Sequence, residues 1–170
     1  MWGGWKVVRR RNASPLRGLG AATLWLAAAT ASATAAVTPV GNWLTEDGHG
    51  VIGIAVCGDS YCGRIVGIDR DPGTPMPTDV KGRPQCGLTI LTNEKPTGDG
   101  DWLGQITDPR DGKTYGAKLW LDDRGNLRVR GFLGIPLLGS TQVWHPFMGR
   151  IGPECQLIST EPDTPRPAHR

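Results

Sequence analysis

Glycine and proline interrupt this chain too often for long helices. The 170 residues include 25 glycines and 14 prolines. No ten-residue stretch free of both shows a helical stripe. Glycine gives up more conformational entropy than other residues in a helix, and proline removes a backbone donor. The remaining option is a set of short strands joined by turns. Eight such runs stand out: residues 40–45, 51–57, 61–68, 87–92, 101–107, 114–121, 127–133 and 142–147. Turn chemistry separates most of them, as in Gly58-Asp59-Ser60, Gly98-Asp99-Gly100, Asp111-Gly112 and Asp122-Asp123-Arg124-Gly125. The pattern predicts an all-β domain, a small antiparallel up-and-down β-barrel of about eight strands. Closure removes the exposed edges of such a meander. A two-sheet sandwich is the alternative.

Alternation gives the faces. Tyr115, Ala117, Leu119 and Leu121 share one side of their strand, and Leu127, Val129, Gly131 and Leu133 share one side of the next. These sides are expected to form a mostly apolar lumen. Glycines inside strands, such as Gly63, Gly104 and Gly116, suit strong curvature. One connection, Asp69–Pro84, is too long for a hairpin and is expected to frame one barrel end.

Residues 1–36 read differently. Lys6, Arg9, Arg10, Arg11 and Arg17 precede an apolar run from Leu19 to Ala29, which is followed by small residues around Ala33-Thr34-Ala35. This is the order of a secretory signal peptide, with an apolar core shorter than the ~20 residues of a membrane span. The expectation is cleavage, a periplasmic or secreted product, and no stable membrane insertion afterwards. The leader holds 5 of the 19 basic residues and no acid, which leaves 14 basic against 16 acidic residues, a net −2. Nucleic-acid binding thereby loses its compositional support. Residues 38–158 are expected to form the barrel domain, and the proline-rich residues 159–170 a disordered tail.

Cys57, Cys62, Cys86 and Cys155 all follow the leader. An even number in an exported chain reads as disulfides. Cys57 and Cys62 flank a hairpin turn, which leaves Cys86 for Cys155. The rival, a four-cysteine zinc site, has poor spacing.

The strings Cys57-Gly58-Asp59-Ser60-Tyr61-Cys62-Gly63-Arg64-Ile65-Val66, Cys86-Gly87-Leu88, Trp102-Leu103-Gly104, Asp108-Pro109-Arg110-Asp111-Gly112-Lys113-Thr114-Tyr115, Val129-Arg130-Gly131-Phe132-Leu133-Gly134 and Gly139-Ser140-Thr141-Gln142-Val143-Trp144 resemble the bacterial domain-of-unknown-function family 2147. The chain departs from the family pattern at residues 79–83, where Asn-Pro-Asp is common, and at Pro146, where Arg is common. The resemblance implies an envelope location and a lipocalin-like (calycin) barrel. Gly41-Asn42-Trp43 looks like the Gly-x-Trp that opens such barrels, with the Trp closing one end beneath a basic residue. Access would then come through the other end.

Candidate ligand-binding residues are Arg64 and Arg130 for an anionic group, Asp108 with Tyr115 as a carboxylate site, Gln142 as a polar anchor and Trp144 as a pocket wall. Each has a plainer reading: solvent-facing arginines, a turn-forming Asp108 and a core Trp144. His49, His145 and His169 are scattered without metal-ligand spacing, and no nucleophile–base pair stands out. The chain is therefore expected to have no metal, no cofactor and no enzymatic activity. The functional expectation is binding of a small, mostly apolar molecule. The alternative is an envelope structural or interaction module with a filled barrel.

Overall fold

The computed structural model describes residues 37–158. The leader and the tail read from the sequence lie outside the described residues. Eight antiparallel strands close into one barrel in sequential order: β1 Gly41–Leu44, β2 Gly50–Cys57, β3 Ser60–Ile68, β4 Thr89–Pro96, β5 Trp102–Thr107, β6 Thr114–Leu121, β7 Leu127–Phe132 and β8 Ser140–Pro146. β1 closes the barrel against β8 through Trp43 opposite Pro146 and Leu44 opposite His145. A two-stranded ribbon follows, β9 Arg150–Ile151 with β10 Leu157–Ile158. Among the described residues no helix is long and apolar enough to cross a membrane.

The barrel, not the sandwich, is what the period-2 alternation builds. Ala117, Leu119, Leu127 and Val129 point inward and are buried, joined by Trp43, Ile52, Ile54, Ile65, Leu91, Trp102 and Trp144. Leu133 departs from the expected inward face. β7 ends at Phe132, and Leu133 is exposed in the connection to β8. At Gly63 a side chain would press on Leu91 and Ile52, which reach over it from the adjoining strands β4 and β2. Here glycine leaves room for the inward side chains of its neighbours.

β4 also runs further than the sequence suggests. Its register shifts between Thr92 and Lys95, and Asn93 takes a positive φ of 57°. One extra residue in a strand restores the facing of those beyond it. Leu91 and Glu94, three apart, therefore both lie buried on the inside.

Both expected disulfides form, Cys57–Cys62 across the β2–β3 hairpin and Cys86–Cys155, with Cα–Cα separations of 5.8 and 5.7 Å. The second ties the segment after β8 to the β3–β4 connection. Leu157 lies on the outer side of Gly67 and Val51, which buries Val51 outside the lumen.

Candidate ligand-binding mouth

In an up-and-down barrel, alternate connections gather at one end. The β1–β2, β3–β4, β5–β6 and β7–β8 connections share the end that is open. A cavity of about 400 Å³ lies there. Its inner wall is Ile52, Ile65, Ile90, Ile106 and Trp144, and its rim is Thr45, Asp47, His49, Gln85, Asp108, Arg110 and Gln142. A second cavity of about 320 Å³ adjoins it, bordered by Ile106, Asp108, Tyr115, Val129, Gly131, Ser140 and Gln142. Volumes of this size fall at the small-ligand end of binding pockets. The arrangement is apolar below and polar above.

Of the sequence candidates, Asp108, Tyr115, Gln142 and Trp144 come together at this mouth. Gln142 and Trp144 are two apart on β8 and share a face. The Trp144 indole N–H donates to Gln142 Oε1 at 2.8 Å. That bond fixes the amide and leaves its NH₂ to donate to a guest. Asp108 serves the turn and the rim together. Its Oδ1 accepts the Arg110 backbone N–H at 2.8 Å, and its Oδ2 accepts Arg110 Nη2 at 2.7 Å. The Arg110 guanidinium holds the Asp108 carboxyl below the usual carboxylate range. For Asp47, burial pushes the carboxyl up, but the Thr45 hydroxyl, the His49 backbone N–H and the charges of His49 and Arg110 bring it below its ordinary value.

Two candidates are corrected. Arg64 stands exposed on the outer face of β3, one residue from inward-facing Gly63 and Ile65. Arg130 lies on the outer face of β7, where its guanidinium donates to the Pro136 and Leu137 carbonyls and to Thr141 Oγ1. Alternation decides both, since Val129 and Gly131 beside Arg130 face the cavity. Neither arginine anchors an anion in the lumen.

The long connection is also corrected in part. It sits at the open end, yet the cavity wall uses Gln85, one residue beyond the expected Asp69–Pro84 span. The loop itself is stapled by buried Asp79, which accepts the Lys81 and Arg83 backbone N–H groups and pairs with the Arg83 guanidinium. Its Val80 N–H donates to the Pro109 carbonyl. It is a rigid flank of the mouth.

Away from the mouth the lumen is filled. Trp102 packs edge-on to Tyr61 with ring centroids 6.1 Å apart. Trp43 is buried, and its indole N–H donates to the Pro39 carbonyl at 2.9 Å. Among these groups lies Glu94, with no exposed surface. Gly104 opposite it has no room for a side chain because the carboxyl occupies that space. Neither oxygen has a hydrogen-bond partner. Burial pushes the Glu94 pKa to about 8, and the nearby Gln105 backbone N–H pulls the other way without reaching hydrogen-bond geometry. The folded protein thus holds a neutral acid inside its barrel at pH 7.

The sequence reading missed Glu94 because Asn93-Glu94-Lys95-Pro96 looks like a loop. It missed Asp47, His49 and Gln85 because nothing in their local pattern joins two separate connections. Arg110 stood in the Asp108–Tyr115 string without a role of its own.

Comparison with known proteins agrees with this geometry. No curated protein matches the sequence significantly. Among solved structures, protein HP1028 from Helicobacter pylori, described as belonging to the lipocalin family, superposes with a TM-score of 0.55 at 16% identity, covering 65% of this chain and 84% of that one. The likeness is one of fold: a lipocalin-like barrel. A family model described as an uncharacterized protein conserved in bacteria (DUF2147) matches residues 41–146. The match spans the whole eight-stranded barrel from Gly41 to Pro146, and the chain belongs to the DUF2147 family.

Proposed function

We propose that this protein is an exported, non-enzymatic barrel that binds a small, mostly apolar molecule in its open end. One observation supports the reading most: a cavity of about 400 Å³ with an isoleucine wall beneath a polar rim. Apolar walls supply the burial energy, and a few placed polar groups orient the guest. Ile52, Ile65, Ile90 and Ile106 are the walls. The Gln142 amide, oriented by Trp144, is the anchor. Two disulfides, with no free cysteine among the described residues, support export into an oxidising compartment.

The test is a titration of the full chain with the neutral fluorophore N-phenylnaphthylamine. Gly131 borders the second cavity, and a Cβ there would meet only Ile106, at ordinary contact distance. Gly131→Leu therefore extends a side chain into the second cavity, which shares Ile106, Asp108 and Gln142 with the first. Wild type is expected to bind the dye with enhanced fluorescence, and G131L to bind it at least about tenfold more weakly, roughly the effect of losing 1.4 kcal/mol. Equal fluorescence from both proteins would favour a barrel without a guest, acting as an envelope module.

A further inference from the structure

The lumen wall carries a carboxyl that the fold itself does not use. Glu94 has no exposed surface, and neither of its oxygens has a hydrogen-bond partner. An acid buried in this way costs stability, whereas a methionine would fill the same space without that cost. No charged group among the described residues acts on it. Tyr61 faces it from β3, and the neighbouring Lys95 pairs with Asp59 at the exposed surface. β5 and β6 present Trp102, Gly104 and Ala117.

The wall around it is cleared toward the mouth. On β5 the Glu94 carboxyl covers Gly104, and the next inward side chain, Ile106, lines both cavities. That is one inward step, roughly 7 Å along the strand. Gly104 lies opposite Ala117, and Ala117 opposite Gly131. This inward row crosses β5, β6 and β7 and holds nothing larger than a methyl group. It begins under the carboxyl and ends at Gly131, on the border of the second cavity. Small residues alone would mean only a tightly curved wall. The unpartnered carboxyl at the inner end gives the row a polar destination.

Charge decides what reaches it. On the rim, Asp47 and Asp108 are held below the usual carboxylate range, and Arg110 is already paired with Asp108. An anionic head group would meet like charge at the mouth and another carboxyl below. A base meets the opposite. We propose that the guest is a hydrophobic amine, with its chain in the apolar cavity and its head group on the Glu94 carboxyl. This rests on the proposed function, since it needs a guest in the open end. The amine enters in its ammonium form and passes Ile106 along the small-residue row. The carboxyl O–H releases its proton to solvent, and the ammonium N–H donates to the carboxylate that remains. Such charge-assisted bonds are about twice as strong as neutral ones. The pair has no net charge, so burial opposes it less than it opposes a bare carboxylate.

The test is isothermal titration calorimetry of the full chain at about pH 6.5 with octylamine, octanol and octanoate, guests of equal chain length. Wild type is expected to bind octylamine at least about tenfold more tightly than octanol. Octanoate should bind most weakly. Burial pushes the Glu94 pKa to about 8, so the free protein carries this proton at the pH of the titration. Octylamine should therefore release about one proton per guest, read from titrations in two buffers of different ionisation heat. Octanol should release none. Glu94→Gln, its fold checked by urea midpoint, should lose both the preference and the release. The proton count is taken on wild type, so it decides even where that variant is unstable. Octanol bound as tightly as octylamine, octylamine bound without proton release, or a preference that Glu94→Gln retains would overturn the proposal and leave the cavity with a guest. Octylamine failing to bind a protein that binds N-phenylnaphthylamine would overturn it alone. Failure of every guest and of the dye would overturn the proposed function as well.

Discussion

The two ends of the barrel are built from the same alternation and come out differently. At the closed end the inward positions are Trp102, Leu119, Leu127 and Glu94, all with 2% exposure or less. At the open end the inward positions are Ile106, Tyr115, Gly131 and Gln142, and a cavity remains among them. The difference lies in side-chain bulk and in the connections. Short hairpins at Gly58–Asp59 and Gly98–Gly100 leave the closed end to tryptophan and leucine. Longer connections at the other end hold the mouth open and place Asp108, Arg110 and Gln85 around it. Packed side chains fill one end, and a cavity lies at the other.

The largest expected effect lies at the closed end. The unfolded chain releases the Glu94 proton near 4.5, and the folded chain only near 8. Between these values the folded state holds the extra proton. Stability therefore declines as pH rises from about 4.5 to about 8 and levels off above, by about 4–5 kcal/mol in all. Glu94→Gln cannot ionise, so its urea midpoint should be nearly flat from pH 5 to 8 and exceed that of wild type at pH 8. Parallel pH profiles for the two proteins would mean that the closed end is wetter than its packing indicates.

At the mouth the expected balance is reversed. Gln142 is exposed and bonds only the Trp144 indole. Gln142→Ala should change stability by about 1 kcal/mol or less, the net worth of one neutral hydrogen bond. Its effect belongs in recognition: a guest bearing a hydrogen-bond acceptor should lose affinity several-fold, and N-phenylnaphthylamine should lose little. A denaturation midpoint that falls as far as a core truncation would make Gln142 part of the fold and not of the site.

Much of this contrast was legible in the sequence. The inward faces of β6 and most of β7 follow from strict alternation, and the Cys57–Cys62 pairing follows from the hairpin between them. Trp144 and Gln142, two apart on one strand, share a face, and the structure turns that face toward the cavity. What escaped depends on departures from regularity or on distant pieces of chain. The bulge at Asn93 turned Glu94 inward, and no local pattern announces a bulge in a polar stretch. Arg64 and Arg130 carry the right charge for a site, but the register assigns them outward. The rim residues Asp47, His49 and Gln85 meet only when folding brings two connections together.

The central claim is that the open end holds a guest. Native mass spectrometry of the protein released gently from its own envelope tests it most directly. The account predicts a second, heavier species displaced by the mass of one small non-covalent molecule, which is lost on mild collisional activation and absent from Gly131→Leu prepared the same way. A single bare mass for wild type, across preparations that keep both disulfides intact, would contradict it.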